Sequence, residues 1–197
     1  MPSNAVLVTF DDGYRSFYTN AYPILEQLNI PAVNFVITKN LDQPLHSRIP
    51  SLSREEIREM ASSGKHIDFQ CHTDSLHDKS PEGQALFTTR LKNGNSVESE
   101  QEYTERIIQD TNRCTAKLRE LDERPVDAFA FPFGVNDAQS AALLQSAGIR
   151  YAFTTVPGIA DRSVNPMQIP RINAGSPFVR ANSLNNLIIR KLNRPQT

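Results

Sequence analysis

Two adjacent carboxylates, Asp11 and Asp12, follow directly on the run Ala5-Val6-Leu7-Val8-Thr9-Phe10 and precede Gly13. The apolar, β-branched run reads as a buried strand, so the acids sit at its C-terminal end. In parallel α/β folds that end is where the connecting loops converge and chemistry is done. Neighbouring carboxylates repel unless something positive is bound or each has its own task, and a divalent metal would supply the charge. His72 and His77 lie just after a second strand-like run, Ile67-Asp68-Phe69-Gln70-Cys71. Imidazole is the commonest ligand for zinc and its neighbours. One carboxylate with two histidines leaves positions open for water and substrate, as in catalytic rather than closed structural sites. Alone, an acid pair after a strand can simply cap the next helix, and a histidine is more often surface or satisfied core. Two strand-end clusters of the right ligand types together point to a metal site.

The elements that must position these groups alternate along the chain. Phe17 to Leu28 carries apolar residues at helical spacing, with Pro23 in its first turn and Asn29 as its stop. Pro31 to Ile37 reads as the second strand, which makes a βαβ unit and hence a parallel sheet. A polar loop holding His46 leads to Ser53, which opens a helix with Glu56 three residues on, a capping box, and Gly64 closes it. The third strand runs from His66 to Cys71. Residues 78–96 read as a polar insertion of low regularity, of the length that is usually functional or mobile. The longest helix, about Val97 to Leu121, has an inward stripe of Tyr103, Ile107, Cys114, Leu118 and Leu121. Glu98, Glu100, Glu102 and Glu105 crowd its start, where acids favour the positive end of the helix dipole. Strands at 127–131, 150–155 and 168–172 and helices at 138–146 and 183–192 complete the pattern. It predicts one α/β, barrel-like domain over 1–197, with six strands.

Composition sets limits. A chain of 197 residues with 39% apolar residues, 22% charged residues and a net charge of −1 is an ordinary globular chain. Dispersed charge gives no support to a nucleic-acid partner, and no apolar run is long enough to span a bilayer. A monomer is expected. Cys71 and Cys114 are expected as two free, mostly buried thiols ahead of a disulfide.

Thr9-Phe10-Asp11-Asp12-Gly13 resembles the first motif of the polysaccharide deacetylases (the NodB-homology domain, carbohydrate esterase family four), and His72-Thr73-Asp74-Ser75-Leu76-His77 resembles their second, metal-binding motif. The family's usual histidine spacing is four residues; here it is five, which is similar to the branch that acts on poly-β-1,6-N-acetylglucosamine of biofilm matrices. The resemblance covers nearly the whole chain. It implies a distorted (β/α) barrel, TIM-barrel-like with fewer than eight regular units. It also implies an extracytoplasmic, N-acetylated polysaccharide substrate, peptidoglycan and chitin-like chains ranking behind the first polymer. The first strand begins almost at once after Met1, so on that expectation a leader or preceding region is absent from the chain.

Removing an N-acetyl group needs an activated water, stabilisation of the tetrahedral oxyanion and a proton for the leaving amine. The resemblance assigns Asp12, His72 and His77 to one divalent metal ion, expected to be Zn2+ with Co2+ or Ni2+ as alternatives, and Asp11 to the general base. Phe131-Pro132-Phe133-Gly134 falls where the family commonly has Arg-Pro-Pro-Tyr. Phe133 then stands at the tyrosine position, whose backbone N–H donates to the oxyanion, and Ala130 stands at the arginine position. The family's arginine orients the catalytic aspartate; Arg171, in Ile-Pro-Arg, is the best substitute. The late family histidine that serves as general acid has no counterpart, since no histidine follows His77. Asp11 returning its proton, a metal-bound water or another side chain must then serve the amine, which predicts a slow catalyst.

Two other readings compete. A haloacid-dehalogenase-type phosphatase also starts from an aspartate after a first strand, but it needs Asp-x-Asp spacing and would leave both histidines without a task. A catalytically inactive carbohydrate-binding domain that kept the metal site would account for the lost arginine and late histidine. Retention of both Asp11 and Asp12 counts against it.

Overall fold

The computed structural model describes residues 5–64, 67–94 and 96–192. Its strands are β1 (Val8–Phe10), β2 (Ala32–Val36), β3 (Ile67–Cys71), β4 (Lys92–Asn93), β5 (Ser96–Val97), β6 (Ala128–Ala130), β7 (Tyr151–Pro157) and β8 (Ile169–Arg171). The helices are α1 (Tyr22–Gln27), α2 (Arg54–Ser62), α3 (Glu100–Arg119), α4 (Ala138–Ser146) and α5 (Ala181–Leu192). Six strands form one parallel sheet in the order β1-β2-β3-β6-β7-β8, which is chain order. Each crossover therefore steps one place in the same direction, the rule of a barrel and not of a doubly wound sheet. Among the described residues no ladder joins β8 back to β1. The result is the expected distorted, partial (β/α) barrel.

Alternation along the strands divides the core in two. Ala32 and Val36 of β2 face the helices and join a large cluster with Phe17, Leu25, Ile57, Met60, Tyr103, Ile107 and Leu118. Val33 and Phe35 face the other way, into a small barrel interior shared with Ala130, Phe153 and Ile169. Register brings Val36, Cys71 and Phe129 level across three strands. Residues that follow these positions consequently emerge on one rim.

Local sequence explains most boundaries. Ser53 and Glu56 form the expected capping box on α2, and Ser99 with Glu102 forms another on α3. Asn29 takes a left-handed φ of 53° where the first helical segment stops. That segment is not one regular helix: a π-helical stretch, Phe17–Ala21, passes into α1, near whose start Pro23 stands. Proline has no N–H for a helical bond, so the hydrogen-bond pattern must change there. The expected start of the third strand at His66 lies outside the described residues.

Three expectations fail. Cys71 and Cys114 are bonded to each other, not free. Because α3 packs along the end of β3, their Cα atoms lie 6.0 Å apart, within bridging range. The insertion at 78–96 is also better built than its polar composition suggests. It contains the β4–β5 hairpin and buries Ala85 and Phe87, the latter against Phe129 with ring centroids 5.0 Å apart. Arg106 of α3 clamps it by donating to the carbonyls of Leu86 and Thr89 and to Glu98. Glu98 is thus an ion-pair partner just ahead of α3 and not part of its first turn.

Candidate active site

The chain leaves β1 at Phe10 and turns sharply, with left-handed φ values of 74° at Asp12 and 67° at Gly13. Gly13 is needed twice over: a Cβ there would lie 2.9 Å from a Val36 methyl as well as carry the strain of that φ. The turn aims the Asp12 carboxylate along the rim toward β3. His72 extends the β2–β3 ladder by donating its N–H to the Val36 carbonyl at 3.0 Å, and it is almost fully buried. Thr73, with φ of 73°, reverses the chain and His77 returns beside it, the two rings 4.4 Å apart.

Asp12 Oδ1 lies 3.4 Å from Nε2 of His72 and 3.4 Å from Nε2 of His77. One ligand atom from each of the three residues falls within 4.8 Å of the others. Donors about 2.0–2.1 Å from a tetrahedral zinc are separated by roughly 3.3–3.4 Å, so the spacing suits a shared cation. The orientation of His72 suits it too. Its Nδ1–H donates to the Ala130 carbonyl at 2.7 Å, which turns Nε2 toward the carboxylate. Burial and the field of His72 hold the His77 pKa below its ordinary value, which favours the neutral form that can ligate. Burial opposes the charge on Asp12, but the hydrogen bond and charge of His72, with His77 and the Tyr14 hydroxyl, prevail and lower its pKa. Tyr14 is raised in turn, by its burial and by the Asp12 charge.

Asp11 faces a different partner. Arg171, at the end of β8, grips it with two parallel bonds, Nη1 to Oδ1 and Nη2 to Oδ2, each 2.7 Å. The guanidinium is itself fixed by donating to the Thr154 carbonyl at 2.9 Å and to Thr9 Oγ1 at 3.2 Å, and it lies 5.9 Å from the Phe35 ring. Ala130, at the position where the resembled family carries its arginine, packs in the same interior cluster as Phe35. The guanidinium therefore reaches the interior from β8 instead of β6, and it spans the gap between the sheet's two edges. Phe133 follows β6 in a left-handed conformation, φ 58°, with its ring 4.7 Å from that of His77 and 4.7 Å from the Lys79 ammonium. A Cβ at Gly134, the next residue, would overlap Thr155, so the turn that presents Phe133 admits only glycine there.

All six residues singled out from the sequence, Asp11, Asp12, His72, His77, Phe133 and Arg171, thus meet on one rim. Several groups around them were not anticipated: the Ala130 carbonyl, Asp74, and Asp110 on α3. Buried Asp110 could have been noticed as a lone acid on the apolar stripe of α3, between Ile107 and Cys114. A carbonyl leaves no trace in sequence.

Comparison with known proteins identifies the family. Among curated relatives, the poly-beta-1,6-N-acetyl-D-glucosamine N-deacetylase of Staphylococcus aureus is 29% identical over 171 residues, covering 87% of this chain and 54% of the relative. The Staphylococcus epidermidis protein of the same name is 29% identical over 174 residues, covering 87% and 55%. The chain spans about half the length of the curated relatives it matches. Among solved structures, the BpsB deacetylase domain from Bordetella bronchiseptica superposes with a TM-score of 0.79 at 27% identity, covering 87% of this chain and 72% of that one. IcaB from Ammonifex degensii gives 0.76 at 27% identity, with 96% and 73% covered. Residues 1–152 match the family model described as polysaccharide deacetylase. With most of its length under that model and the barrel of its solved relatives, the chain belongs to the polysaccharide deacetylase family.

Proposed function

We propose that this protein hydrolyses N-acetyl groups from N-acetylglucosamine residues of an extracytoplasmic polysaccharide, poly-β-1,6-N-acetylglucosamine of a biofilm matrix being the first choice. Asp12, His72 and His77 hold one divalent cation, zinc by the donor set, which when bound supplies Lewis acidity to the amide carbonyl and to water. The single observation that carries this reading is the division of labour between the two acids. Asp12 faces both imidazoles at 3.4 Å, while its neighbour Asp11 is held by Arg171.

Asp11 acts as general base. It takes a proton from the attacking water as oxygen bonds to the acetyl carbon. Arg171 fixes the rotamer in which this carboxylate waits. The Phe133 N–H donates to the oxyanion of the tetrahedral intermediate. Asp11 then returns its proton to the departing amine, the C–N bond breaks, and acetate and a free glucosamine amine are released. One residue then serves both proton transfers. Every group in this scheme comes from one copy of the chain, so a monomer suffices.

The disulfide at the site's edge supports an oxidising, extracytoplasmic setting. The names of the curated relatives support the β-1,6-linked polymer. The test is amine release from β-1,6- and β-1,4-linked N-acetylglucosamine oligomers by zinc-loaded wild type and Asp11→Asn. Release by wild type alone, greater on the β-1,6 series, is expected. Release by neither protein would favour an inactive carbohydrate-binding domain, and phosphatase turnover without amine release would overturn the assignment.

A further inference from the structure

The segment from His72 to His77 is one residue longer than the spacing usual in the resembled family, and each added residue widens the set of positions its second imidazole can take. One face of α3 narrows that set. Asp110, Arg113, Cys114 and Lys117 follow one another at i, i+3, i+4 and i+7, so they share a face of the helix. Each reaches the segment or the strand feeding it. Cys114 is bonded to Cys71, the residue before His72. Lys117 Nζ lies 2.9 Å from Asp74 Oδ1, and Arg113 Nε lies 3.4 Å from Asp74 Oδ2.

Asp110 differs from the other three because it grips the main chain. Its carboxylate accepts the N–H of Asp74 at 2.9 Å, the N–H of Ser75 at 2.8 Å and the Ser75 hydroxyl at 3.1 Å. Left-handed Thr73 turns these consecutive N–H groups to one side, the concave arrangement that receives an anion. Asp110 has no exposed surface, and the cation nearest to it, Arg113, is half-exposed and 3.9 Å away. A buried carboxylate so placed depends on the segment's donors, and the segment depends on it.

We propose that Asp110 is a positioning residue for the metal site: by holding the main chain between the two histidines it sets where the His77 imidazole meets Asp12 and His72. This rests on the metal-dependent reading above. The test titrates zinc into the 197-residue chain against a chromophoric chelator and records the visible spectrum of the cobalt-substituted form. Asp110→Asn is expected to bind zinc about 10- to 100-fold more weakly than wild type, the range seen when groups behind metal ligands are removed. Its cobalt bands are expected to shift, and its activity to return at high zinc with the oligosaccharide KM unchanged. Leu118→Ala, buried on the same helix, is expected to lower the melting temperature while leaving zinc affinity alone.

Zinc affinity in Asp110→Asn equal to wild type would overturn the inference, as would an equal loss in Leu118→Ala. Should Asp110→Asn not fold, Ser75→Ala removes one donor only and is expected to weaken zinc roughly threefold; no change there would also overturn it. Wild type that binds no zinc would bring down the proposed function itself, an outcome distinct from a variant that matches a zinc-binding wild type.

Discussion

The Asp12 side of the rim and the Asp11 side are secured by different means. Around Asp12, His72 is the next rung of the β2–β3 ladder, its ring is tied to a backbone carbonyl of β6, and the loop to His77 is held by α3 through a disulfide, an ion pair and a buried carboxylate. Around Asp11 lies a seam. The β7–β8 register is irregular between Phe153 and Pro157, and no ladder joins β8 to β1 among the described residues. One guanidinium bridges the gap. The metal half of the site is held at several separate points, many of them on main chain, whereas alignment of the base depends on a single side chain.

That contrast can be broken at either end. The largest effect is expected from His77→Ala, which removes a ligand no neighbour can replace: bound zinc and amine release should both fall to background, and retained activity would break the comparison outright. Next is Arg171→Met. With Asp11 no longer aligned, kcat should fall about 100-fold, the scale of a misplacement near 1 Å, while zinc affinity stays at the wild-type value. A parallel loss of zinc would mean that the two halves are not independent.

A smaller effect is expected from Cys71→Ala/Cys114→Ala. Opening a cross-link between residues 43 apart should cost roughly 2–4 kcal/mol in urea unfolding. Because the disulfide ends on β3 while Asp110 grips the segment between the histidines, zinc affinity should then change less than in Asp110→Asn. The smallest effect is one of pH. Folding holds the His77 pKa below 6.5, so between the lowered value and 6.5 the unfolded chain binds more protons than the folded one. Metal-free stability should therefore decline as pH falls through this window, and zinc affinity should begin to fall only toward the lower edge, as the proton starts to compete for the imidazole. A loss of zinc already complete above pH 6.5 would contradict the burial of His77.

The parts legible in the sequence were those encoded locally. A β-branched run ending in Asp11-Asp12 and another ending at His72 announce strands, their C-terminal ends and hence one shared rim. Ser53, with Glu56 three residues on, announces the start of α2. Arg171 was found only as a substitute for a missing arginine, since a position 160 residues away carries no local mark of its partner. The Cys71–Cys114 bond was missed for the same reason: it depends on how α3 lies against β3. Polar composition at 78–96 hid a hairpin and a buried Phe87, because Arg106 satisfies carbonyls that composition alone would assign to solvent.

The bond from His72 to the carbonyl of residue 130 carries one more consequence. A proton acceptor supplied by the peptide unit is inherited by whatever amino acid occupies that place, so no exchange of side chain there can delete it. The tautomer of this imidazole is thereby insulated from sequence drift at position 130. In such a lineage an arginine could be given up at that place and another recruited from β8, with the proton on His72 left where it was.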